Sequence, residues 1–355
     1  MSSDGGPTVA VKLFIDKAKR RVLFAESDGE FVDVLFSFLT LPLDRIVRLF
    51  DKQPLVGCLD ELYKSVESLG ECHFQAKPCK AMLLAPLNAA EAHCHRLQVK
   101  VDDSKSNPCI VAKMECAAIY RFAAPLMLFA VVEMLSSTLG NGQLRILVLM
   151  LRMGFLALVA PTEADTNFKA IKVRVVQTKD DPNMLYAEVG LDFVDLAFGL
   201  LCIPLGTIMK NFSQLPQKGC MGNLYKSVAG SVKEECQGVL LTPKVAPFFG
   251  CSSNVLQVEE LRPRICACLS ETNPRSHGDG TDRAYIKGSP MNYMVTDDLQ
   301  IRPFCLINTL EFLRASKVPK GKLVEKELTL NKTQVLKIIR AAFETREALS
   351  SVLLP

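Results

Sequence analysis

Apolar and polar positions in this chain change period twice in the same way. Val11-Lys12-Leu13-Phe14-Ile15 is a strand-like apolar run, Asp16 to Arg21 is polar, and Val22-Leu23-Phe24-Ala25 resumes the run, a pattern that predicts a β-hairpin. Phe31, Val34, Leu35, Phe38 and Leu39 then recur at helical spacing, with acids from Asp28 to Glu30 where a helix dipole favours them. Pro42 interrupts this run. A proline inside a helix removes a hydrogen bond and clashes with the preceding turn, so one helix is expected to stop near Leu39 and another to begin about Leu43. A third, Leu59 to Leu69, places Leu59, Leu62, Tyr63 and Val66 on one face.

The second occurrence aligns without a gap. Val22 to Phe50, VLFAESDGEFVDVLFSFLTLPLDRIVRLF, matches Met184 to Phe212, MLYAEVGLDFVDLAFGLLCIPLGTIMKNF. In the same register Cys58 falls on Cys220, and Leu62-Tyr63-Lys64-Ser65-Val66 on Leu224-Tyr225-Lys226-Ser227-Val228. A further island, MLLAPLNAAEAHC ending at Cys94, matches VLLTPKVAPFFGC ending at Cys251. The period exceeds that of solenoids and propellers, so the pattern is a tandem duplication. The second hairpin is expected at Val173–Val176 and Met184–Ala187, around the turn residues Asp180-Asp181-Pro182-Asn183.

Elsewhere the pattern is less regular. From Pro78 to Cys116 it reads as strand and loop. Residues 117–167 carry two apolar runs, Phe122 to Leu135 and Ile146 to Ala160, separated by Gly140-Asn141-Gly142. A spanning helix needs about 20 apolar residues, and Glu133 and Arg152 interrupt these runs, so a soluble helical hairpin is expected, with a membrane hairpin over 122–160 as the alternative. Gly, Pro, Ser and Asp make 271–283 a linker. Tyr293–Val295 and Leu299–Ile301 then flank a turn at Thr296-Asp297-Asp298, Phe304 to Leu313 predicts a helix and Lys322 to Leu330 a strand. Asn331 with Gln334 predicts a capped last helix whose apolar face carries Val335, Ile338, Ile339, Ala342 and Phe343.

Composition narrows the class. At 355 residues with 49% hydrophobic side chains the chain can bury two cores. Its formal charge of +4 gives no field suited to nucleic acid, and the basic cluster Lys17, Lys19, Arg20, Arg21 lies where a hairpin turn is expected. Thirteen cysteines, an odd number, cannot all pair within one chain, and MSSDGGPTV lacks the charged and apolar regions of a signal peptide. The expectation is a reducing intracellular compartment, cytoplasmic or nuclear, with free thiols.

Candidate chemistry is sparse. No phosphate-binding glycine loop, G-x-S-x-G elbow or H-E-x-x-H motif is present. The four histidines, His73, His93, His95 and His277, lie outside the repeated core, so histidine acid–base catalysis has no paired origin there. Asp33 and Asp195 recur on the helix after the hairpin, without a repeated acid or histidine partner, and read as packing positions. His93-Cys94-His95 is too closely spaced for a closed zinc site, and its counterpart keeps only Cys251. Asp297 and Asp298 read as turn formers. Cys58 and Cys220 stand just before a helix, where a thiol pKa can be lowered, although Gly57 and Gly219 beside them suit a small buried thiol at a loop-to-helix junction.

VKLFIDKAKRRVLFAE, the EFVD and DFVD steps with LTLPL, GC followed by LYKSV, and Met294-Val295-Thr296-Asp297-Asp298-Leu299 together resemble a plant family known as domain of unknown function 674. The resemblance covers roughly residues 10–116 and 168–355, and residues 117–167 depart from it. It implies a plant protein with tandem copies and names no activity. Family members also carry cysteine pairs that look like a zinc knuckle; the matching regions here offer Cys109 and Cys116, and Cys266 and Cys268, without the second pair that four-ligand zinc needs.

These patterns predict an α+β protein: a tail (1–9), repeat module 1 (10–116), an apolar helical insert (117–167), repeat module 2 (168–270), a linker (271–283) and a C-terminal strand/helix unit (284–355). The expected function is a non-enzymatic protein-interaction module with a protein partner, without catalytic residues, cofactor, metal or nucleic acid. A hairpin followed by short helices is similar in pattern to POZ-type interaction modules, an analogy of pattern alone. The alternatives are a cysteine-dependent enzyme or redox-sensitive protein using Cys58 or Cys220, and a membrane-anchored protein.

Overall fold

The structure, a computed structural model, describes residues 11–18, 21–27, 29–49, 57–90, 168–179, 184–212, 220–232, 234–246, 255–256, 258–261, 285–287, 291–316 and 323–354. The insert at 117–167 and the linker at 271–283 lie outside them.

The fold is α+β. The first hairpin pairs β1 (Val11–Asp16) with β2 (Arg21–Ser27), antiparallel, with a register shift at Phe14/Ile15. The second pairs β3 (Ile171–Thr178) with β4 (Met184–Val189), and its shift falls at the equivalent step, Val176/Gln177. Each hairpin leads into a helix, α1 (Gly29–Ser37) or, later, α5 (Leu191–Gly199). A single 3-10 turn follows, Phe38–Thr40 or Leu200–Cys202. Pro42 and Pro204 come next and end the run in both places, as the loss of a backbone donor requires.

Three helices follow each proline. After Pro42 they are α2 (Leu43–Leu49), α3 (Leu59–Ser68) and α4 (Lys77–Leu84); after Pro204 they are α6 (Leu205–Asn211), α7 (Cys220–Ser231) and α8 (Glu234–Leu241). Helix α4 corrects the strand-and-loop reading of Pro78 onward. Pro78 occupies the first turn of that helix, where its missing N–H would have had no partner anyway, so it opens the helix instead of breaking it.

The C-terminal region adds β5 (Tyr293–Val295), β6 (Ile301–Pro303), α9 (Leu306–Ala315), β7 (Leu323–Leu330), α10 (Lys332–Glu344) and α11 (Ser350–Leu353). The five-stranded antiparallel sheet runs β6-β5-β4-β3-β7, so the second hairpin sits at its centre. Val173, Val175, Ala187 and Val189 are buried on it. Val176, Tyr186 and Met294 form a second apolar cluster, which Phe304, Phe312 and Leu313 cover; the Phe312 ring meets Tyr186 edge-on at 5.9 Å. The predicted capping box closes α10: the Asn331 side chain accepts from Gln334 N–H, and the Gln334 side chain from Asn331 N–H.

The described elements fall into two compact units. One comprises β1, β2, α1 and the turn Phe38–Thr40 together with α6, α7 and α8. Within it α1 packs on α7, and the turn on α6 and α8. The other comprises β3, β4, α5 and the turn Leu200–Cys202 together with α2, α3, α4 and the C-terminal elements. There α5 packs on α3, and the turn on α2.

Candidate functional site

Two positions flagged separately in the sequence come together in the second unit. Cys58, at the N-cap of α3, lies near Asp297 and Asp298 of the β5–β6 turn, and the charge of Asp298 and then that of Asp297 act on its thiol. Around them stand Asp60 and Glu61 from the first turn of α3 and Arg346 from just beyond α10.

Local sequence dictates this assembly. Gly57 has φ +91°, a conformation open to glycine, and a Cβ there would lie 2.0 Å from Ala342 O. The close approach lets Cys58 N–H donate to Ala342 O at 2.8 Å, while its Sγ donates to Thr345 O at 3.0 Å. Arg346 donates to the buried Asp60 carboxylate at 2.8 Å, and Lys64 holds Glu61 at 2.7 Å. Ser65 Oγ accepts from Ile301 N–H at 2.8 Å, which anchors strand β6 to α3.

The aspartates of the turn are equally committed. Asp297 Oδ1 accepts from Leu349 N–H and Ser350 N–H at 2.9 and 2.8 Å, and Oδ2 accepts from the Ser350 hydroxyl, so this carboxylate caps α11. Asp298 accepts from Thr296 Oγ1, whose oxygen in turn accepts from Gln300 N–H. The turn closes through Leu299, buried and left-handed at φ +61°.

Electrostatics decide what Cys58 can do. Burial first, and Asp298 second, push its thiol up to about 12 against the opposing pull of Arg346, so it stays protonated at neutral pH. The thiolate is the nucleophilic form, and this cluster withholds it. Burial likewise raises Cys79, to about 11, and Cys202. His73 stands with its ring edge-on to Tyr293 and Nδ1 3.5 Å from that hydroxyl.

Asp195 is buried on α5. Its Oδ1 accepts from Tyr285 N–H at 3.1 Å and from Ile286 N–H at 2.8 Å, which ties the segment before β5 to the helix. Sequence reasoning flagged the residue without its partner, because a lone acid on a helix does not show which distant amides it will meet. Asp33, its counterpart, is half-buried on α1. Asp60, Glu61 and Arg346 were not flagged; the Asp-Glu pair at the start of α3 was the available signal, since helix starts favour acids whatever else they do.

Among the described residues no group of three or more His, Cys, Asp or Glu side chains is placed to hold a metal ion. His93, Cys94, His95, Cys109, Cys116, Cys251, Cys266, Cys268 and His277 lie outside the described residues. Cys220 is the first residue of α7, and its side chain is not described. Among the described residues no helix is long and apolar enough to cross a membrane, and residues 122–160 lie outside them.

This polar cluster is thus a joint that fastens the C-terminal elements onto α3. Residues 5–124, 157–284 and 266–355 each match the model of a family described as a protein of unknown function (DUF674), so the matches together span nearly the whole chain. No curated protein and no solved structure matches it.

Proposed function

We propose that the chain, which belongs to the family of proteins of unknown function DUF674, works as a non-enzymatic protein-interaction module. One observation carries this reading: Leu306 and Ile307 open α9 at 74% and 68% exposure, on a helix that buries none of its residues fully. Adjacent large aliphatic side chains held in water by a folded helix form a surface that an apolar partner would desolvate, at a gain of about 1.5–3 kcal/mol per side chain. The reactive groups of the same unit support the same reading, because Cys58, Asp60 and Asp297 are engaged in holding the fold.

The expected setting is an intracellular compartment of a plant cell. Its support is the family resemblance together with six cysteines that form no disulfide among the described residues, two of them, Cys72 and Cys305, exposed.

Affinity purification of the full-length protein, wild type beside a Leu306→Asp/Ile307→Asp double variant, tests the function. Protein partners retained by the wild type and lost from the double variant are the expected result. Partners unaffected by the double substitution, or a stoichiometric small molecule in place of a partner, would overturn it.

A further inference from the structure

The compact units do not follow the sequence repeat. Each joins the hairpin and first helix of one repeat to the three helices of the other. The handover falls at the same step both times, Leu41–Pro42 and Ile203–Pro204. In one unit Leu205 N–H donates to Leu41 O at 3.0 Å, and in the other Leu43 N–H donates to Ile203 O at 3.1 Å. Equivalent bonds at equivalent positions make this a reciprocal exchange.

Packing at the junction is close. In the first unit Gly206 lies where a Cβ would be 2.4 Å from Leu240 O and 3.0 Å from Leu39 O, so α6 of the second repeat touches the 3-10 turn of the first at backbone distance. Phe31, Leu35, Phe38 and Leu39 on one side, and Leu224 and Val228 on the other, are all buried. In the second unit Phe193, Val194, Leu200 and Leu201 are buried with Leu62 and Val66. In each unit the exchanged halves pack on each other, α1 on α7 in the first and α5 on α3 in the second.

From this arrangement we infer that the recognition element is the half-repeat. A hairpin-and-first-helix half binds the three-helix half of another repeat of the same kind, and that complementary half is the partner class of the module. Within this chain the two repeats satisfy each other. A second copy of the chain offers the same halves in trans. The inference deepens the interaction reading above and rests on it for its biological use.

A protease site inserted between Leu139 and Gly140 of the full-length protein, cleaved after folding, tests the exchange. Fragments 1–139 and 140–355 should remain a 1:1 complex on gel filtration and separate in denaturant. They should re-form on its removal, with a tagged first fragment taking up an isotope-labelled second fragment from another preparation. Fragments that elute as two independently folded bodies would overturn the inference.

Hydrogen exchange on intact Gly206→Ala separates exchange from an ordinary contact between colinear domains. Protection should fall about tenfold or more in both 29–40 and 205–241, and persist in 191–202 and 59–68. Loss in 191–202 with 29–40 unchanged would sink the exchange. A partner that no longer binds the Leu306/Ile307 double variant bears on the function alone, whereas separated fragments bear on the exchange alone.

Discussion

Both compact units contain a hairpin, a helix, a 3-10 turn and three more helices, yet only one of them carries the C-terminal strands and helices. The helix that receives those elements, α3, presents Asp60, Glu61 and Ser65 to Arg346 and Ile301. The aligned positions on α7 are Gly222, Asn223 and Ser227, and the Ser227 hydroxyl donates within its own helix to Asn223 O. The apolar positions Leu62 and Val66 correspond to Leu224 and Val228, and all four are buried. Core positions are thus kept in both helices, and Lys64 keeps its counterpart Lys226, while the acids Asp60 and Glu61 appear only on the helix that makes the joint.

The largest effect expected from breaking this contrast is at Gly57. Gly57→Ala places a Cβ on Ala342 O at a positive φ, and should cost about 3–5 kcal/mol in urea unfolding, with hydrogen exchange accelerating in α3 and α10 and not in α1. Asp195→Ala removes the carboxylate that accepts from two buried amides and should cost about 2–4 kcal/mol by the same measurement. Arg346→Ala leaves the buried Asp60 carboxylate with Lys64 alone, at 3.4 Å. With the arginine itself 37% exposed, the expected loss is about 2 kcal/mol, whereas Asn223→Ala in the other unit should be nearly neutral.

A pH series sharpens the comparison at smaller amplitude. Cys58 in the folded chain holds its proton to about 12, whereas the unfolded thiol loses it near 9. The folded state therefore binds more protons above the unfolded value, and stability is complete below it and falls as pH rises from about 9 toward 12. Cys58→Ala should flatten part of that slope in urea titrations at successive pH values. At neutral pH a thiol reagent should label Cys72 and Cys305 and spare Cys58. The smallest effect belongs to the exposed Lys12–Glu26 pair, where Lys12→Ala should change stability by about 0.5 kcal/mol or less.

Elements were more legible in the sequence than their neighbours. Both hairpins, the breaks at Pro42 and Pro204 and the capping box at Asn331 follow from local rules, because strand alternation, proline chemistry and capping act within a few residues. Helix α4 was missed, since a short segment containing Pro78 and little amphipathic contrast matches loop templates as well as helical ones. Periodicity marks Phe31, Val34 and Leu35 of α1 as core, misses the equally buried Val32 and Phe36, and is silent on what covers them. The covering helix α7 begins more than 180 residues after α1 ends, so the exchange between repeats left no local mark. At the candidate site the cysteine and the turn aspartates were visible one by one, and their meeting depended on a fold-level contact.

The reciprocal arrangement has a consequence for the order of synthesis. The first hairpin and α1 leave the ribosome about 200 residues before α8, the last helix of their own unit, is complete. At ~5–20 residues per second, Phe31, Leu35, Phe38 and Leu39 wait roughly 10–40 s for their cover. During that interval a nascent chain displays the same apolar face as its neighbours on a polysome, so pairing with the wrong copy competes with folding.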